Sequence, residues 1–191
     1  MSALIPIRKP YSVRRFSGFG NGPQTVERVI LHDTESPDAK LGWSDCTGVV
    51  NYWRDNPEQG DHGTYYLAAH FVVNKRGYSV AVDTPETLLY HCQGANTGSI
   101  GIEQIGYARF TREQWMARPG QLRKVAKFLA WSHKAYGVPM VVSVTRGVST
   151  HKMQTDFHHI PGGHTDPGAG YPLQYVVDLA QRFVRQGGWW Y

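Results

Sequence analysis

The chain has 191 residues, 41% of them hydrophobic and 18% charged, the proportions of one globular domain whose core needs neither disulfide nor metal staples. No run of eighteen apolar residues occurs and the apolar patch near the N-terminus is short for a signal segment, so neither membrane insertion nor a secretory address is expected. Twenty Lys and Arg against fifteen Asp and Glu give +5, which favours a polyanionic partner such as nucleic acid, an anionic membrane or an anionic cell wall.

Residues 1–26 are rich in Pro, Gly, Ser and Arg without a sustained period and read as an extended arm ahead of one domain over 27–191. The run Val29-Ile30-Leu31 predicts a buried strand that delivers His32, Asp33 and Thr34 at its C-terminal end. A helix N-capped by Asp45 is expected through Arg54, followed by a loop over 56–63. His70–Asn74 and Tyr78–Val82 around Lys75-Arg76-Gly77 read as a hairpin. Ile100–Ile105 is a further strand, in which Ile100, Ile102 and Gln104 face one way and Gly101, Glu103 and Ile105 the other. Helical spacing of Leu122, Val125, Phe128, Leu129 and Trp131 predicts a helix from Gln121 to Tyr136 with Gly137 as its C-cap. Met140–Val144 is a fourth apolar run, and a last helix runs from Pro172 to Gln186. Strands alternating with helices indicate an α/β domain. Cys46 and Cys92 are too few for a disulfide framework or a four-cysteine zinc site and read as free thiols.

Nine histidines are present, four of them between His151 and His164. The longer stretch 150–172 also carries Asp156 and Asp166 and reads as a turned loop crowded with ligand-type side chains. Catalytic zinc takes three protein ligands and leaves one position open; the loop offers two, and His32 at a strand end a third. A single histidine is more often a satisfied core or surface residue, but the set is harder to dismiss. No HExxH, GxSxG or GxxxxGK[ST] pattern occurs, which leaves serine hydrolysis and P-loop phosphate chemistry without support.

The stretches VILHDT, AAHFVVNKRGYSVAV, YHCQGANTGSIGIEQIG, GVSTHKM and GGHTDPG, in that order, resemble the zinc-dependent N-acetylmuramoyl-L-alanine amidases of the amidase-2 type, a family that includes phage endolysins, wall-recycling amidases and peptidoglycan-recognition proteins. The resemblance implies a central mixed sheet flanked by helices, with a zinc groove at the strand ends. It implies His32, His151 and Asp166 as zinc ligands, Glu103 as the carboxylate that handles the nucleophilic water, and His164 as the group that supports the oxyanion. His70 and His91 match groove positions and are expected to contact substrate. For the second ligand His151 is preferred over His158, because Gly147-Val-Ser-Thr-His matches a strand-end pattern; His158 stays open as the alternative, lying eight residues before Asp166 where His151 lies fifteen.

The implied reaction is hydrolysis of the amide between N-acetylmuramic acid and L-alanine in peptidoglycan, with Zn²⁺ as cofactor, by a monomer made in a host cytoplasm and acting on the wall after release, as an endolysin does. The alternative is a peptidoglycan-binding module of the same fold without catalysis. Nothing resembles a helix-turn-helix, an RNP motif or a zinc finger, so a nucleic-acid partner is not expected. Trp43, Tyr52, Trp53, Tyr65 and Tyr66 offer aromatic groove walls or core packing, and the closing Trp189-Trp190-Tyr191 either folds back or touches the wall.

Overall fold

The computed structural model describes residues 18–60 and 63–187. Five strands form one mixed sheet in the order β5-β4-β6-β1-β7: β1 (Arg28–Asp33), β4 (Phe71–Val73), β5 (Ser79–Ala81), β6 (Ser99–Gln104) and β7 (Gly147–Thr150). β1 runs parallel to both β6 and β7, β4 runs parallel to β6, and β5 closes the edge antiparallel to β4. A two-stranded ribbon of β2 (Glu58–Gly60) and β3 (Gly63–Tyr65) stands apart and exposed.

The alternation of each strand decides the two faces of the sheet. Val29 and Leu31 of β1, Ile100 and Ile102 of β6, Phe71 and Val73 of β4 and Val148 of β7 pack in one apolar cluster with helices α3 (Pro119–Tyr136) and α5 (Leu173–Gln186). On the opposite face Val72 and Val80 meet Cys46 and Val50 of helix α1 (Trp43–Asp55), while Ile30 touches Cys92 and Ala95. His32 and Glu103 therefore share the α1 face, and they are register partners across β1 and β6.

The helix ends follow the sequence closely. α3 has Pro119 in its first turn and ends on Gly137, which adopts φ 71° and donates its N–H to the His133 carbonyl. α5 ends the same way on Gly187, at φ 62°. Short helix α2 (Arg112–Met116) is closed by a capping box between Thr111 and Gln114 that the apolar periodicity did not signal, because five residues are too few to show a period.

Four expectations are corrected. α1 starts at Trp43, with no side-chain cap, because the Asp45 carboxylate turns back to accept from the Lys40 N–H. The run Met140–Val144 forms no strand: Val142 makes one bridge to Val148, and the strand beside β1 on that edge of the sheet is β7. Part of the loop over 56–63 is β2, paired with β3. The stretch after His151 is helical over α4 (His151–Phe157), since Thr150 accepts from the Met153 N–H at 3.2 Å and Gly and Pro appear only from Pro161 onward.

Within the N-terminal arm, residues 18–26 lie along the segment 86–88, with Asn21 N–H donating to the Leu88 carbonyl and Leu88 N–H to that of Gly22. The cations of residues 8–15 and the closing Trp189-Trp190-Tyr191 lie outside the described residues. Both cysteines are buried free thiols, and burial pushes each up to about 12.

Candidate active site

A groove of about 1360 Å³ opens at the C-terminal ends of β1 and β6. His32, Asp33, Glu103, His151, His164 and Asp166 meet at one side of it. His32 is the penultimate residue of β1, β7 ends immediately before His151, and Asp166 is tied to the start of α4 through the Lys152 N–H, which donates to its carbonyl at 3.0 Å. Two adjacent parallel strands thus aim two imidazoles at one carboxylate.

The distances are those of a ligand set. His32 Nδ1 lies 3.0 Å from His151 Nδ1 and 3.2 Å from Asp166 Oδ2, and His151 Nδ1 lies 3.1 Å from Asp166 Oδ1. All three side chains are buried. Two imidazole nitrogens and a carboxylate oxygen, mutually within 4.8 Å, fit the three-ligand arrangement of a catalytic zinc site. His32 is lowered to about 4, chiefly by burial and against the opposing pull of the Asp166 carboxylate, so its ring is neutral and has a lone pair to give. Burial would raise Asp166, but the His151 and His32 imidazoles facing its two oxygens outweigh it and hold the carboxyl far below the usual range.

Glu103 sits beside this set with Oε2 buried and without a hydrogen-bond partner. Burial, reinforced by the charges of Asp166 and Asp33, raises its carboxyl well above the ordinary value, the direction needed for a group that accepts and returns a proton near neutrality. His164 stacks on His151 at 4.0 Å between centroids, with its Nδ1 3.5 Å from Asp166 Oδ1. Two-thirds of its side chain is exposed, so it reaches into the groove. Burial and the neighbouring His151 lower it, which makes the neutral ring its ordinary form.

The remaining expected residues separate. His151 and not His158 joins His32 and Asp166; His158 caps the far end of α4 and lies outside the groove lining. His91 lines the groove. His70 does not, and its expected substrate contact is corrected. Its Nδ1 accepts from the Gly101 N–H at 3.0 Å, its Nε2 faces the Thr87 carbonyl at 2.9 Å, and the residue is wholly buried. Both nitrogens are spent on backbone. Of the five aromatic residues, Tyr52, Trp53 and Tyr65 line the groove, whereas Trp43 packs on Tyr78 and Tyr66 on Phe19.

Sequence reasoning missed Asp33. Its Oδ1 accepts from the Glu35 N–H, its Oδ2 is buried without a partner, and burial raises it to about 7. The only signal was its place next to His32 at a strand end. Leu67 and Tyr90 also line the groove, and Tyr90 meets Tyr65 edge-on at 5.6 Å.

The profile of the N-acetylmuramoyl-L-alanine amidase family known as Amidase_2 matches residues 22–169. The chain belongs to this amidase family. The amidase fold recurs in solved structures of low identity. A Staphylococcus aureus hydrolase, AmiA in complex with its ligand, is 15% identical with a TM-score of 0.64 over 94% of this chain and 87% of that one. The endolysin N-acetylmuramoyl-L-alanine amidase LysCS from Clostridium intestinale is 14% identical with a TM-score of 0.55, covering 85% and 91%. Drosophila peptidoglycan recognition protein SD is 14% identical with a TM-score of 0.57, covering 82% and 85%. No curated protein sequence matches the chain. Within the amidase domain, the matched region takes in every ligand and catalytic candidate from His32 to Asp166.

Proposed function

We propose that this amidase is a zinc-dependent hydrolase of the bond between N-acetylmuramic acid and L-alanine in peptidoglycan, and that it acts as an endolysin. The observation that carries the reading is the convergence of His32, His151 and Asp166 beside the orphaned carboxylate of Glu103 in one groove. His32, His151 and Asp166 would hold zinc, which would supply a bound water with its pKa lowered toward ~7 and a Lewis acid for a carbonyl.

The chain's own residues do the rest. Glu103 takes a proton as water attacks the lactyl carbonyl and gives it to the departing L-alanine nitrogen, which otherwise leaves poorly. His164, projecting into the groove from above the His151 ring, donates an N–H to the developing oxyanion. Tyr52, Trp53, Tyr65 and Tyr90 give the glycan and stem peptide flat apolar surfaces with polar tips. The net charge of +5 suits an anionic wall.

The endolysin reading draws on the likeness to LysCS and places action at the wall, after synthesis in a host cytoplasm and release. Among the described residues no helix is long and apolar enough to cross a membrane. We read the chain as a monomer.

Incubation of the zinc-loaded chain with purified walls, followed by mass spectrometry, tests the reaction. Stem peptides with a free N-terminal L-alanine are expected. Wall binding with no such product would replace the enzyme by a capture module.

A further inference from the structure

We infer that Ser99 and His91 form a hydrogen-bonded chain that fixes His32 in its Nε2–H tautomer and leaves its Nδ1 lone pair free for a metal, which makes both of them positioning residues. The metal half of this inference rests on the function proposed above; the tautomer half does not.

The direction of each bond follows from the one before it. Ser99 Oγ has a single proton, and it goes to the Asn96 carbonyl at 2.7 Å, a group that only accepts. Towards His91 Nε2, 2.9 Å away, the same oxygen is therefore an acceptor, so Nε2 of His91 carries the hydrogen. A neutral ring protonated there has a bare Nδ1, and this atom lies 3.1 Å from His32 Nε2. His32 Nε2–H donates into it, and the lone pair of His32 is left on Nδ1, facing His151 and Asp166.

Without the chain the opposite tautomer would be the natural one. Asp166 Oδ2 stands 3.2 Å from His32 Nδ1, and an anionic oxygen at that distance attracts a proton onto the nitrogen that should be bare. A proton there blocks a ligand atom. Ser99 and His91 counter this by giving the His32 proton a buried acceptor at the other end of the ring.

The backbone is shaped for the same purpose. A Cβ at Gly101 would stand 2.8 Å from both Cγ and Nδ1 of His91, so only glycine in mid-strand lets the ring lie against β6. The Asn96 carboxamide oxygen accepts from the His91 and Cys92 N–H groups at 2.8 and 2.7 Å and pins the start of the loop. Gln104, steadied by the Tyr171 hydroxyl, donates to the His32 carbonyl from the other side.

Long-range ¹H–¹⁵N spectra of the metal-free full chain read the tautomer, and competition with a chromophoric chelator reads zinc affinity. His32 should carry its proton on Nε2 in the wild type and shift in part to Nδ1–H in Ser99→Ala, which is nearly isosteric and keeps the fold. His91→Leu should weaken zinc by about 10- to 100-fold, the usual cost of losing a group that orients a ligand. His91→Asn, whose side-chain oxygen can accept close to where Nδ1 stood, should recover most of that loss. His32 found as Nδ1–H in the wild type, or zinc binding by His91→Leu within about twofold of wild type, overturns the inference. A wild-type chain that binds no zinc would sink the proposed function instead, and the tautomer would still decide this point.

Discussion

His32 and His70 lie on either side of His91, at 5.1 and 5.7 Å between ring centroids, and by most measures they are the same residue. Both are essentially unexposed, both sit at the sheet, and burial lowers both to about 4. They differ in where the second nitrogen goes. His70 spends one nitrogen on the Gly101 N–H and the other on the Thr87 carbonyl, so it is a strut between β6 and the segment before it. His32 spends one on His91 and turns the other to a carboxylate and a second imidazole. Neither burial nor a depressed pKa marks a functional histidine; a nitrogen left over for chemistry does.

The sharpest way to break the comparison is to remove each member of the metal-type set. His32→Ala and His151→Ala should each lose stoichiometric zinc and wall-lysing activity while circular dichroism shows an intact fold, because the core does not need the ion. Metal content by mass spectrometry checks this, and full zinc in either variant would dissolve the assignment.

Glu103→Gln keeps size and hydrogen-bonding capacity but cannot carry a proton. Zinc should stay bound while kcat falls by about 10² to 10⁴. His164→Ala should also keep zinc, with a loss of roughly 10² to 10³ as for one oxyanion donor. Zinc lost from His164→Ala would make that ring a ligand, a plain alternative given its 3.5 Å approach to Asp166.

The strut should behave in the opposite way. His70→Ala leaves the Gly101 N–H without its partner, although the Thr87 carbonyl keeps the Gln24 amide, so stability should drop by about 1–3 kcal/mol with kcat per folded molecule unchanged. Denaturant melts beside turbidity assays separate the two effects. His70 is neutral in the folded state down to about 4 but near 6.5 in the unfolded chain. The unfolded chain alone takes up a proton between those values, so its contribution is complete above 6.5 and is lost as pH falls toward 4. Thermal melts of the metal-free protein across that window should show the decline, to which His32 and His91 also contribute, and His70→Gln should make it shallower. The smallest effect belongs to His158→Ala, which should keep both zinc and activity; zinc loss there would move the second ligand to the far end of α4.

The strands carrying His32 and Glu103, the helices closed by Gly137 and Gly187 and the order of the amidase motifs were legible because they rest on local period and local backbone geometry. Asp166 and His151 were legible as candidates through the family pattern, and the strand-end motif Gly147-Val-Ser-Thr-His favoured His151 while leaving His158 open. That choice was made when β7 paired with β1 and set the start of α4 beside His32, a contact between positions 119 residues apart. The same long-range packing sent His70 into the sheet, gave Asp33 and Glu103 their orphaned oxygens and spent the run at 140–144 on one bridge. The sequence by itself determined which groups were available for chemistry. Only the tertiary structure decided which of their polar atoms were already satisfied, because a partner for a buried nitrogen or carboxylate oxygen comes from whatever distant segment packs against it.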